Sequence, residues 1–159
     1  MPARGAEIVP PQLVFSVSGQ TAAQVLEEMA GHLAEQGVVS DGPGLARQLV
    51  GREARCPTAI GAGIAMPHWK IPALSRVVVA VGRARLPVDF AAPDGKPVDL
   101  VFLLLSPAEV PATHLAALAR LSRILRAPGV ANRIREAGSP ESVAEALREA
   151  EAGLMVSVR

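Results

Sequence analysis

Three histidines, one cysteine and no tyrosine leave this 159-residue chain a short inventory of reactive side chains. His68 ends the stretch Thr58-Ala-Ile-Gly-Ala-Gly-Ile-Ala-Met-Pro-His, where two glycines and a proline turn the chain sharply and leave backbone groups bare. A histidine so placed offers one ring nitrogen to solvent. If a backbone carbonyl holds the other nitrogen, the tautomer is set and a lone pair is left for nucleophilic attack. An ordinary loop histidine fits the same residues. His114 follows Thr113, a candidate cap, and so falls in the first turn of an expected helix, where bare N–H groups and the helix dipole favour an anion and disfavour imidazolium. It is either one member of an anion site or a first-turn histidine with no role. Arg52, at the end of an earlier expected helix, carries a permanent charge and a planar fork of donors suited to phosphate oxygens, or is a solvated surface arginine. His32 sits at the margin of an apolar helical stripe and reads as a packed boundary residue.

Elimination narrows the chemistry. There is no GxxxxGK(S/T) phosphate loop, and Gly61-x-Gly63 lacks the third glycine and the strand-to-helix setting of a dinucleotide fingerprint. No G-x-S-x-G nucleophile motif occurs, and the histidines have neither HExxH spacing nor cysteine partners for zinc. Neither a cofactor nor a metal is expected. The single Cys56 makes no internal disulfide, which agrees with a reducing compartment. Lys and Arg number 16 against 15 Asp and Glu, so bulk charge recruits neither nucleic acid nor an anionic membrane. The longest apolar run, residues 100–105, is far short of the roughly 20 residues that cross a bilayer. The first residues carry no apolar stretch of a secretory signal, so cytoplasm is expected.

The elements that must position these residues are legible as periodicities. A strand is expected over residues 12–17, then a helix over 21–36 capped by Thr21, with Val25, Leu26, Met29, Ala30 and Leu33 inward and Gly37 ending it. Asp41 and Gly42 open a second helix that stops before Pro57, with Leu45, Leu49 and Val50 inward and Arg47, Arg52 and Glu53 near its exposed end. The loop and a short strand then deliver His68 to an edge. Residues 76–82 and 98–106 are aliphatic almost without alternation, so both faces of their sheet should be covered. Residues 86–90 suggest a further short strand, with Asp94-Gly95 a turn. Leu115, Leu118, Leu121, Ser122 and Leu125 then form a helical stripe, followed by a shorter helix over 130–136. A last helix starts at Ser139-Pro140 and carries Val143, Ala146 and Leu147, and the tail, residues 154–158, is left as strand or frayed end. These elements predict one α/β domain over residues 1–159, core about 12–150, with a mixed sheet sandwiched between helices.

Arg52 through His68, then P97-V-D-L-V-F-L-L-L-S-P and T113-H114-L, resembles the enzyme IIA domain of the fructose/mannitol class of the bacterial phosphotransferase system, nearest its nitrogen-regulatory branch. The resemblance covers about residues 15–147, and its most specific part is G-x-G-I-A-x-P-H. It implies the mannitol/fructose-type IIA fold and a phosphohistidine relay without metal. His68 would accept phosphate through Nε2 from HPr or a nitrogen-type HPr paralogue. Arg52 and His114 would hold the charge spread over the phosphoryl oxygens, while Thr58, Gly61 and Gly63 would lie beside the phosphate.

Trp69, where the family usually has a small residue, and Cys56-Pro57 depart from the pattern and bear on carrier docking. The resemblance further implies a stand-alone IIA protein, monomer or weak dimer, that binds regulated partners according to phosphorylation state. Two alternatives stay open: a sugar-uptake IIA passing phosphate to a separate IIB, and a binding module of the same fold that takes no phosphate.

Overall fold

Strand β6 (Val98–Pro107) decides the architecture, because nine of its ten residues are buried and only Asp99 is partly open. A strand apolar on both faces must be covered on both. In this computed structural model, which describes residues 8–157, β6 is central: β5 (Val78–Val88) pairs with it antiparallel on one side, and β3 (Ile64–Ala65) and β4 (His68–Ile71) run parallel to it on the other. β1 (Val14–Val17) lies parallel to β5, and β2 (Ala59–Gly61) turns back antiparallel to β3, giving a six-stranded mixed sheet in which five strands follow the order β1-β5-β6-β3-β2 and the sixth, β4, pairs with β6 off that path.

Two neighbours on β5 locate the covering layers, since successive residues of a strand face opposite sides. At Gly82 a Cβ would stand 2.8 Å from Met29 Sδ, so helix α1 (Ala22–Glu35) lies against that face. At Arg83 the guanidinium reaches the other side and donates to the carbonyls of Ile134 and Ala137, at 3.3 and 2.6 Å, at the carboxyl end of α4 (Val130–Glu136). Helix α2 (Gly42–Arg55) packs on α1, while α3 (Pro111–Arg126) contacts β6 and α5 (Pro140–Ser157) contacts α4. The expected sandwich of a mixed sheet between helices is what forms.

Local chemistry explains most boundaries. Thr21 caps α1, its Oγ1 accepting from Gln24 N at 3.1 Å, and Gly37 takes the left-handed backbone that ends it. Val25, Leu26, Met29, Ala30 and Leu33 are fully buried. Asp41 caps α2 through Gly44 N, and Ser139 Oγ accepts from Ser142 N at the start of α5.

Several expectations are corrected. The first strand starts at Val14, because Pro11 opens a short 3-10 helix, Pro11–Leu13, and a proline has no N–H for a ladder. Residues 86–90 form no separate strand: β5 starts at Val78 and runs on to Val88, its pairing with β6 shifting between Arg83 and Val88. Residues 154–157 continue α5 as helix, and Val158 lies outside the described residues. Thr113 is no cap, because α3 already begins at Pro111 and its N-cap residue is Val110. Leu115 is 70% exposed, and the buried face of α3 runs instead through His114, Leu121, Ile124 and Leu125. Glu53 is buried rather than at an exposed end, for a reason given below.

Candidate functional site

β3 and β4 lie end to end along one edge of β6, with Met66-Pro67 between them. Pro67 gives the ladder a carbonyl, which accepts from Leu104 N at 2.9 Å, but no N–H. Met66 N donates to Thr58 O at 3.0 Å, and Met66 O accepts from His68 Nδ1 at 2.9 Å. A carbonyl can only accept, so Nδ1 of His68 carries the proton and, in the neutral ring, Nε2 keeps its lone pair. The backbone carbonyl that the sequence argument asked for is therefore present. His68 is half-buried and open to approach.

His68 pairs with Leu104 and therefore shares a face of the sheet with Leu104 and Ser106. The same face receives α3, which carries His114 at its amino end. The two imidazoles lie 5.3 Å apart between centroids and are tilted by 54°. His114 is 6% exposed, and its Nδ1 is hydrogen-bonded to Ser106 Oγ. Burial first, then the His68 and Lys70 charges, push its pKa below the usual histidine value, so His114 is the neutral partner.

A pH dependence follows. The unfolded chain binds this proton more readily than the folded one, so the stability gained by a neutral His114 is whole above its ordinary value of 6.5 and is lost as the pH falls through the lower folded value. Thermal denaturation is expected to show Tm falling as the pH is lowered below 6.5, and falling less in His114→Gln. Equal slopes in the two proteins would remove His114 as the source.

The other site candidates take different positions. Arg52 sits in the last turn of α2, half-buried, and donates to Cys56 O at 3.3 Å. Thr58 is buried, with its N–H and hydroxyl donating to the two oxygens of Glu53 at 2.9 and 2.7 Å. Those bonds are why Glu53 is buried, and they tie α2 to the chain that leads, through Met66, to His68. Gly61 and Gly63 both have left-handed backbone, at φ 94° and 79°. The space before Gly61 is bounded by the Asp94 carboxylate, and that before Gly63 by Arg135 and Asp99. Trp69 pairs with Leu105 and so faces away from the His68 ring, towards α2, where it lines a groove of about 600 Å³ with Asp41, Arg47, Gln48 and Leu74.

Sequence reasoning missed Glu53 and Ser106 as parts of this constellation. Glu53 left no signal beyond helix position. Ser106 left one, a hydroxyl interrupting the apolar run of β6. Among the described residues no group of three or more His, Cys, Asp or Glu is placed to hold a metal, and no helix is long and apolar enough to cross a membrane.

The sequence model of the family described as phosphoenolpyruvate-dependent sugar phosphotransferase system, EIIA 2, matches residues 7–150. A nitrogen regulatory protein of Bradyrhizobium diazoefficiens is 35% identical over 136 residues, 86% of this chain and 88% of that protein. The fructose-specific EIIABC component of Bacillus subtilis is 30% identical over 135 residues, which span 85% of this chain but 21% of that much longer protein. The crystal structure of the nitrogen regulatory protein IIA-Ntr from Neisseria meningitidis superposes with a TM-score of 0.80 at 29% identity, over 89% of this chain and 97% of that one.

Proposed function

The chain belongs to the EIIA 2 family of the phosphoenolpyruvate-dependent sugar phosphotransferase system, and on that premise we propose that it is a regulatory phosphohistidine relay whose acceptor is His68. The observation that carries this reading is the hydrogen bond from His68 Nδ1 to Met66 O, which leaves Nε2 as the bare nitrogen of a half-exposed ring. The donor is the phosphohistidine of an HPr-type carrier. As Nε2 of His68 forms its bond to phosphorus, the carrier's nitrogen–phosphorus bond breaks and its electron pair stays on the carrier's imidazole. Bond made and bond broken are alike, so the site has mainly to position the groups and spread charge. His114, neutral and in ring contact, is the hydrogen-bond partner for the phosphoryl oxygens, and the Arg52 guanidinium is the candidate positive charge. Thr58 acts here through the backbone, since its hydroxyl is engaged by Glu53.

Phosphorylation adds about two negative charges beside the exposed end of β4, enough to make or remove a protein-binding surface. The regulatory emphasis rests on the similarity to nitrogen regulatory proteins over nearly their full length. The similarity to a fructose-specific component favours a second reading, in which His68 passes phosphate on to a IIB protein for sugar uptake. The test is incubation with phosphoenolpyruvate, enzyme I and either HPr or its nitrogen-type paralogue, read by intact mass. One acid-labile phosphate, taken faster from the nitrogen-type carrier, is the expected result. Preference for HPr with onward transfer to a IIB protein would select the sugar-uptake reading, and no phosphate from either carrier would sink both.

A further inference from the structure

His68 and His114 present the same ring atom, Nδ1, to partners of opposite chemistry. His68 Nδ1 meets a carbonyl, which can only accept. His114 Nδ1 meets the hydroxyl of Ser106, which both donates and accepts. Ser106 is 0% exposed near the end of the apolar run of β6. A buried hydroxyl that fails to use its proton forfeits the full cost of removing it from water. Among the described residues the partner of that hydroxyl is His114 Nδ1, and no buried side-chain oxygen or nitrogen is left unpartnered. The proton therefore goes to Nδ1.

We infer that Ser106 is a positioning residue that holds His114 in the tautomer with Nδ1 bare and Nε2 protonated, opposite to the tautomer of His68. The consequence for function rests on the phosphohistidine reading above. Two imidazoles 5.3 Å apart would otherwise compete for the same phosphoryl group. With Ser106 donating to Nδ1, the remaining nitrogen of His114 has an N–H and no lone pair, so it can donate a hydrogen bond to a phosphoryl oxygen but cannot attack phosphorus. The division of labour between the two histidines is thus set by what each Nδ1 touches. The same contact resists protonation of His114, because an imidazolium would set an N–H against the O–H unless the hydroxyl turned away. That agrees with the lowered pKa produced by burial.

The test reads the ring nitrogens directly, in the full chain labelled with 15N, above pH 7, with signals assigned from single histidine variants. Opposite patterns are expected: His68 protonated on Nδ1 and His114 on Nε2. Ser106→Ala, which removes one oxygen and adds no bulk, is expected to leave His68 unchanged and to move His114 to mixed or Nδ1 protonation. Ser106→Thr, which restores a hydroxyl, is expected to recover the original pattern. Phosphoryl uptake by Ser106→Ala should be roughly fivefold slower, the scale of one neutral hydrogen bond. An Nδ1-protonated His114 in the unsubstituted protein would overturn the inference. So would a Ser106→Ala protein that is slower but keeps the His114 pattern, since its defect would then be one of packing. If the patterns are as expected but no carrier phosphorylates the chain, Ser106 keeps its role in setting the tautomer while the phosphohistidine reading falls.

Discussion

His68→Ala is expected to carry no acid-labile phosphate under conditions that label the unsubstituted protein fully. The reason is the scarcity of substitutes. His114 is buried and its Nδ1 is occupied by Ser106. Lys70 is on the same strand face but is exposed, with no carbonyl contact of the kind that orients His68. His32 lies on α1, stacked on Phe15 with centroids 4.7 Å apart. The fold should survive, since the ring is half-exposed and the variant loses one hydrogen bond, to Met66 O, worth about 0.5–1.5 kcal/mol. Intact-mass analysis beside a circular-dichroism melt separates lost chemistry from lost structure. Phosphate on a folded His68→Ala protein at the unsubstituted level would place the acceptor elsewhere.

Gly63→Ala is expected to be the most damaging of the small substitutions around the signature loop. Its backbone, at φ 79°, lies where an L side chain costs about 1–2 kcal/mol. The added Cβ would stand 2.6 Å from Arg135 Nη2 and 2.8 Å from Asp99 Oδ1. Those atoms belong to an ion pair that joins α4 to β6, with Nε to Asp99 Oδ2 at 2.8 Å, and Arg135 Nη2 also donates to Ala62 O at 2.6 Å. A methyl group therefore has to dislodge the clamp that holds the turn between β2 and β3. Together the two effects place the loss at roughly 2–4 kcal/mol in denaturant unfolding. Because Gly63 O accepts from Asp99 N and Leu100 N at 3.0 and 3.1 Å, β3 and the His68 strand behind it should shift, slowing phosphoryl uptake as well. A Gly63→Ala protein of unchanged stability would show that the clamp yields freely.

The readable features were those governed by near neighbours in the chain. Thr21 and Asp41 cap helices three residues downstream, a geometry set within one turn. The run of β6 announces burial on both faces whatever covers it. The glycines and Pro67 before His68 announce a sharply turning stretch that ends in a short strand at an edge, and His68 does open β4, whose one partner among the described residues is β6. The misreadings arose where distant atoms choose between locally equal options. The stripe on α3 reads equally well with Leu115 inward, but the helix turns His114 in and leaves Leu115 out, with Ser106 waiting in the strand before it. Glu53 looks like a solvated helix-end carboxylate until Thr58, beyond the proline, returns its N–H and hydroxyl to it.

From the sequence alone came the α/β class, because backbone sterics and residue periodicity act over a few positions, and the family resemblance, whose G-x-G-I-A-x-P-H motif is what singles out His68 for the proposed acceptor role. Only the tertiary structure decided that His68 and His114 touch, that their Nδ1 atoms meet a carbonyl and a hydroxyl respectively, and that Trp69 turns to the opposite face of the sheet from the histidine beside it. Those outcomes depend on the pairing of β4 with β6 and on the seating of α3 against that sheet. Strand register sets which side chains share a face, and a register is a property of two segments that neither carries alone.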